Sequence, residues 1–497
     1  MRGIAMMWNW CEFEPVLGTK TFLPYAIDGL SYLVSAVSGS PSRVRVLLDD
    51  ATTLSKLGGE KFDLIVTDPP YRDDVPYAEL SDFYYVWLKR VLSDVVDLGG
   101  VLVRKPGFIS EAFFDEYGSE IEVQWKVFAP REISENEGRS EVFGLISIGG
   151  RRVPVGSFDH FKQLLSESFK TMTSRLSDSG VLVTYYAHTT PEAWEALLEA
   201  GWVNAGLKIT ATHALLTESP QRVTARGATT LDMSIVVVWK KSVVGEALVD
   251  EVYAKAVEVC SEIADKYRRA GYTGVNLFVS VLGCVLSQFT QYRRVIGTRS
   301  LEDMVKNYVY PATAGAIAKS LTGVEVKLSP YSQFYMLAKV LVDRGRRTRR
   351  RLDSTTLVIL SIGTRAEISH LNALRVVGKV DDEWVLLEPV FSRDIRASIE
   401  EVLREKNVNP QVSSFRSPID VLHVLEYLAI TEKSDVFKKR VEEIKSKSGL
   451  LVDEAIAVMR VFKEALPEED VERRLAEKVI ESFRAYTGTG LTMFTRK

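Results

Sequence analysis

Asp68-Pro69-Pro70-Tyr71 closes a short apolar run, Lys61 to Thr67 (KFDLIVT), and is where residue types and spacing best suit chemistry. Pro-Pro stops helix and sheet alike, so these four residues read first as a strand-ending turn. An acid, two prolines and an aromatic in that order also suit an amine that is hard to activate. The exocyclic amine of a nucleobase is a poor nucleophile because its lone pair is delocalised into the ring. A carboxylate and a proline-fixed carbonyl can each accept one N–H and draw the nitrogen toward tetrahedral geometry. A tyrosine stacked on the base adds roughly 1–3 kcal/mol. Two consecutive prolines hold the carbonyl rigidly, so little reorganisation accompanies reaction.

The surrounding pattern supplies elements to position such a group. Arg43 to Asp49 and Lys61 to Thr67 read as buried parallel strands with functional loops at their carboxyl ends. Phe158 to Leu176 has helical periodicity, Gly180 to Tyr186 reads as a strand, and Pro191 to Ala200 reads as a helix capped by Thr190 and closed by Gly201. Ala205 to Ala211 and Met233 to Trp239 complete a strand–helix alternation of the doubly wound α/β kind. A stretch rich in glycine and charge, 99–157, interrupts it. After Lys241 the chain turns mainly helical, over Val244 to Ala270, Val275 to Phe289, Leu301 to Leu321 and Pro418 to Thr487. Short alternating runs between Thr355 and Pro389 (TTLVILSI, NALRVVGKV, EWVLLEP) suit a hairpin beside helices. The expected organisation is an α/β domain over 1–242 with the insertion 99–157, then a mainly helical domain over 243–497 whose 328–390 part is winged-helix-like.

The run FDLIVTDPPY and its continuation from Tyr71 to Arg90 (YRDDVPYAELSDFYYVWLKR) resemble the adenine-specific DNA methylases of archaea and bacteria that contain a zinc ribbon. Ala187-His188-Thr189 followed by Glu192-Ala193-Trp194, the strand Ser234 to Lys240, and Ile419 to Ala429 (IDVLHVLEYLA) extend the resemblance along most of the chain. It implies a Rossmann-like sheet and methyl transfer from S-adenosylmethionine to the N6 amine of adenine in DNA. Asp68 and the Pro69 carbonyl would orient the amine, Pro70 would stiffen the loop, and Tyr71 would stack on a base flipped out of the duplex. Asp50-Ala51 stands where the family has G-D-A, so Asp50 would contact the cofactor's adenine, with Ala51, Thr67 and Asp68 completing that site. An acidic turn or helix cap is the alternative reading of these acids.

Two family parts are missing. No F-x-G-x-G loop precedes Asp68, where Gly18, Gly29 and Gly39 are isolated; such a loop lets backbone N–H groups approach the cofactor's carboxylate. The zinc ribbon is absent too, and residues 1–15 resemble the segment that follows it. Without the first two strands, Lys61 to Thr67 would keep an unpaired apolar edge and Arg43 to Asp49 would leave the sheet. A second polypeptide supplying the glycine loop and those strands is expected, although a truncated reading frame or a degenerate relative would leave the same gap. A non-catalytic subunit that binds DNA or a partner, and an RNA amino-methyltransferase, are the competing functions.

For DNA contact the candidates are Arg344, Arg346, Arg347, Arg349, Arg350 and Arg351, six arginines in eight residues. Such a run serves either as a solvated face or as a phosphate grip. Tyr292-Arg293-Arg294 is a lesser candidate, as are Arg222 and Arg226. Tyr84, Tyr85 and Trp87 are expected to pack the helix after the active-site loop, and His188 to be structural. With 63 basic and 66 acidic residues among 497, a net charge of −3 confines any nucleic-acid surface to a local patch. Three cysteines without metal spacing, no apolar run near the roughly 20 residues of a membrane span, and early acids in the first segment together imply a soluble cytoplasmic protein with no metal site.

Overall fold

A computed structural model describes residues 23–38, 44–69, 77–92, 95–97, 102–104, 113–115, 117, 119–186, 191–216, 233–241, 243–272, 274–322, 328–342, 349–381, 383–390 and 394–487. The first half contains α1 (Leu23–Ser38), β1 (Phe62–Thr67), α2 (Tyr77–Leu92) and a small hairpin, β2 (Val95–Asp97) with β3 (Leu102–Arg104). Two short helices, α3 (Trp125–Phe128) and α4 (Gly138–Phe143), and a second hairpin, β4 (Leu145–Ile148) with β5 (Arg151–Pro154), follow inside the insertion. Next come α5 (Phe158–Arg175), β6 (Leu176–Tyr186), α6 (Pro191–Leu198), β7 (Leu207–Leu216) and β8 (Met233–Lys241). The fold is mixed α/β: a four-stranded sheet in the order β1-β6-β8-β7, with β1 and β6 parallel and the other pairs antiparallel.

Local sequence explains these elements well. Ser157 accepts the His160 N–H to cap α5, and Phe161, Leu164, Leu165, Phe169 and Met172 put a buried stripe on it at helical spacing. In β6 alternate residues Leu182, Thr184 and Tyr186 are buried. Three readings need correction. Lys61 to Thr67 yields a parallel strand but not a buried one, its Leu64 and Val66 being 59 and 57% exposed. Arg43 to Asp49 forms no strand over its described residues 44–49, whose Val44, Val46 and Leu48 are 85, 92 and 82% exposed. Gly201 does not end its helix either: the chain continues through a wide turn over Glu199–Asn204, because Gly201 passes under the Trp239 ring, 2.8 Å from where a Cβ would stand.

The second half begins not with a helix but with β9 (Val244–Leu248). It leads into α7 (Val249–Arg269) and α8 (Gly274–Thr290), and pairs in parallel with β10 (Tyr292–Ile296). A local strand partner 48 residues away overrides the helical reading of 244–248. α9 (Leu301–Met304) runs through a wide turn into α10 (Tyr310–Thr322), and α11 (Pro330–Leu341) follows. Packing crosses the expected division at 242. α8 lies over β7 so closely that a Cβ on Gly283 would meet Thr212 Oγ1 at 2.1 Å, and that hydroxyl donates to the Val279 carbonyl. Thr290 Oγ1 accepts the Ile209 N–H of β7. Cys260 and Cys284 form a disulfide between α7 and α8, so cysteine usage does not argue for a reducing compartment.

β11 (Arg351–Leu352), α12 (Ser354–Thr364), α13 (Ile368–Ala373), β12 (Val377–Val380) and β13 (Glu383–Leu386) come next. Their sheet has the order β11-β13-β12. The expected hairpin is β12–β13, but TTLVILSI is helical: Asp353 caps Thr356 and the apolar residues bury into the helical core on several sides. α14 (Ile395–Glu405), α15 (Pro418–Thr431), α16 (Ser434–Ala465, kinked at Ser448) and α17 (Val471–Thr487) complete the chain. No helix among the described residues is long and apolar enough to cross a membrane.

Candidate functional site

Asp68 and Pro69 follow directly on β1, whose last residue, Thr67, is in register with Thr184 of β6. This is the carboxyl end of the one parallel pair in the main sheet, the place where open α/β sheets bind ligands. Pro69 is buried, Thr67 is half-buried and Asp68 is exposed. Pro70 and Tyr71 lie outside the described residues, as do His188, Arg222 and Arg226.

The two acids before β1 divide their work. Asp49 accepts from the Asp50 N–H at 2.9 Å, the Lys56 N–H at 2.7 Å and Ser55 Oγ at 3.0 Å. The Lys56 N–H above all holds Asp49 below the usual carboxylate range. Asp50 closes a turn on itself, its Oδ1 accepting from Thr52 N and Oγ1 at 2.8 and 2.6 Å. Its Oδ2 faces Arg131 at 3.9 Å. Asp49 therefore supplies the structural cap, and Asp50 turns an oxygen toward a cleft of about 650 Å³ lined by Asp49, Asp50, Ala51, Lys56, Phe128 and Arg131 among others. Thr171 of α5 donates to the Thr52 carbonyl at 2.7 Å and ties the turn to the sheet's helix layer.

The insertion, whose length alone marked it as functional or mobile, builds the other wall of this cleft. Glu132 accepts the backbone N–H groups of Tyr77 and Ala78 at 2.8 and 3.3 Å and so caps the start of α2, the helix that follows the Asp68 loop. Arg139, only 2% exposed, pairs with Glu79 of α2 at 2.6 Å and with Glu132, and donates to the Ala129 carbonyl and Ser134 Oγ. Burial alone would lower its pKa, but Glu79 and Glu132 outweigh that and raise it. His160 of α5 anchors the same segment. Its Nδ1 accepts the Gly156 N–H and its Nε2 stands 2.9 Å from the Pro130 carbonyl, which assigns the Nε2–H tautomer. Burial pushes its pKa down and keeps it neutral.

The arginine run behaves differently from a solvated grip. Arg350 is 3% exposed, donates to Val342 O and Asp470 and pairs with Glu388, so it is an interior residue and no phosphate ligand. Arg349 is largely covered and pairs with Glu405 at 2.7 Å. Arg351 is 66% exposed and pairs with Glu383 at 2.6 Å. Arg344, Arg346 and Arg347 lie outside the described residues. On α2, Tyr85 packs against Phe113 with ring centroids 5.6 Å apart, whereas Phe83, Tyr84 and Trp87 are 65, 64 and 57% exposed. Arg293 and Arg294 are exposed on β10.

No family model, curated protein or solved structure matches this chain.

Proposed function

We propose that this chain is the target-base half of a split S-adenosylmethionine-dependent methyltransferase acting on the N6 amine of adenine in DNA, with a Rossmann-like sheet completed by a second polypeptide. One observation carries this reading. β1, the strand that presents Asp68 and Pro69, is the edge strand of its sheet, and among the described residues its outer side has no partner. Its Leu64 and Val66 are 59 and 57% exposed, where a parallel strand is normally covered on both faces. The opposite edge strand, β7, is closed by α8. An unpaired edge beside an uncovered apolar face, on the strand that bears the reacting acid, is where a donated strand with its glycine loop and a covering helix would belong.

The residues suit the adenosine half of the cofactor: Asp50 Oδ2 at the cleft accepts a hydroxyl or amine. The methionine half would need the donated loop. S-adenosylmethionine, when bound, supplies the methyl group. Asp68 and the Pro69 carbonyl accept the two N–H bonds of the target amine, and Pro69, buried, holds its carbonyl fixed. Tyr71 stacks on the extruded base. The helix–strand–helix–helix–strand–strand order of α11 to β13, with β13 central, supports a winged-helix-like unit over 328–390. Its hairpin turn carries Asp381 and Glu383, so DNA contact falls to Arg344, Arg346, Arg347 and Arg351.

Calorimetric titration of S-adenosylmethionine into the chain, alone and with the product of a neighbouring gene, tests the reading. It is followed by methyl transfer to matched DNA and RNA oligonucleotides. Binding only with the partner, and transfer to DNA adenine, is expected. Tight binding by the chain alone would remove the split. Absence of binding in both would favour a non-catalytic subunit.

A further inference from the structure

The helices of the second half enclose charged chemistry that methyl transfer does not use. In IDVLHVLEYLA the acids and histidine recur every three residues, and α15 turns Asp420, His423 and Glu426 into the interior, where each is at most 1% exposed. Around them lie Lys339, Arg350, Glu388, Lys406, Asp470 and Glu472, each at most 4% exposed. With every carboxylate ionised, five acids (Glu388, Asp420, Glu426, Asp470, Glu472) face three cations (Lys339, Arg350, Lys406), which leaves two negative charges uncompensated in a low-dielectric interior.

The cations are already engaged. Lys339 contacts Glu388 at 2.6 Å, Asp470 at 3.1 Å and Glu472 at 2.5 Å, Arg350 contacts Glu388 and Asp470, and Lys406 lies 3.3 Å from Asp420. Glu426 has no such cation partner among the described residues, and its Oε1 has no hydrogen-bond partner there. His423 Nδ1 stands 3.1 Å from Glu426 Oε2 and 3.9 Å from Glu472 Oε1, and the Leu387 backbone carbonyl also acts on this imidazole. One ligand-capable atom from each of His423, Glu426 and Glu472 lies within 4.8 Å of the other two. Tyr335 Oη donates to Glu472 Oε1 at 2.7 Å, the outer contact that orients a ligating carboxylate.

We propose that His423, Glu426 and Glu472 bind one divalent transition-metal ion of the zinc class, in a buried three-ligand site that joins α15 to α17. One imidazole with two carboxylates suits zinc and its neighbours rather than magnesium or calcium, and a dication matches the two uncompensated charges. The site is independent of the methyltransferase reading and of the zinc ribbon that the chain lacks.

The test uses the full chain, grown with added zinc, purified without chelator and assayed for metal by mass spectrometry. The stripped protein is then titrated with Co(II) followed by visible absorption. About one equivalent of zinc is expected, with a Co(II) d–d band that Zn(II) displaces, and at least tenfold weaker Co(II) binding in Glu426→Gln with unchanged circular dichroism. X-ray absorption on the zinc-loaded wild type covers the case of a variant that does not fold. It should show a nitrogen/oxygen shell at about 2.0–2.1 Å with one imidazole. A folded wild type that neither carries zinc nor binds Co(II) overturns the proposal and leaves Glu426 and Glu472 sharing protons. Undiminished binding by folded Glu426→Gln, or a shell with several imidazoles, also overturns it.

Discussion

Glu132 accepts the backbone N–H of Tyr77 at 2.8 Å, so a residue of the long insertion caps the helix that leaves the Asp68 loop. The same carboxylate pairs with buried Arg139, and its neighbour Arg131 faces Asp50. The insertion thereby couples the turn before β1 to the helix after it. A misplacement there would reach both sides of the candidate site.

Arg139→Met is expected to destabilise the protein by roughly 2–4 kcal/mol, because Glu132 would keep its charge in a mostly covered position with no cation, held only by the Tyr77 and Ala78 N–H groups. The lower part of that range reflects Glu79, whose side chain is 36% exposed and can return to water. Chemical denaturation of variant and wild type measures the difference, and a loss within 0.5 kcal/mol would refute the coupling role.

His160 gives the insertion a pH dependence. Its pKa is lowered in the folded protein by burial, so between the folded and unfolded values the unfolded chain binds the extra proton. Stability from this residue is complete above the unfolded value, near 6.5, and declines as pH falls below it. Denaturation midpoints at pH 7.5 and 5.5 should fall more for wild type than for His160→Gln. An equal fall in both would assign the effect elsewhere, for example to His423.

Asp68 and Asp50 should separate chemistry from cofactor binding in the two-chain complex. Under the proposed function, Asp68→Ala should lower turnover by roughly 10²–10³-fold with a much smaller loss of S-adenosylmethionine affinity, since its carboxylate would act mainly on the target amine. Asp50→Ala should weaken cofactor affinity and leave turnover at saturation largely intact. If Asp50→Ala acts only on stability, the acid is part of the turn alone.

The arginine run splits into interior and exposed members. Arg350→Met leaves Glu388 and Asp470 without one of their cations and is expected to destabilise the fold by roughly 3–5 kcal/mol, read from the unfolding midpoint. Arg351→Ala, at a side chain 66% exposed, should leave stability nearly unchanged and weaken DNA binding, with a shallower dependence of affinity on salt. Equal salt slopes for that variant and wild type would remove Arg351 from the DNA surface.

Local chemistry made much of the frame legible. The strand before Asp68, the helix over Phe158–Arg175, the strand ending at Tyr186 and the hairpin before Pro389 were readable because period and turn act over a few residues. An edge position for β1 was expected too, from the family resemblance and the absence of a preceding F-x-G-x-G loop, and among the described residues β1 pairs with β6 alone. Other points depended on partners far along the chain. Val244–Leu248 is a strand because Tyr292–Ile296 lies beside it, and TTLVILSI is a helix because the core receives its apolar residues on more than one side. Two adjacent acids line the cleft, and of these Asp49 takes the Lys56 N–H while Asp50 Oδ2 faces Arg131, a difference set by where Lys56 and Arg131 stand. Arg350 looked like its neighbours in the run, yet Glu388 and Asp470, 38 and 120 residues away, draw it inside. Composition and spacing determine which groups a segment offers. Burial and charge pairing between distant segments decide which of them remain available, because both depend on atoms that only the folded chain brings together.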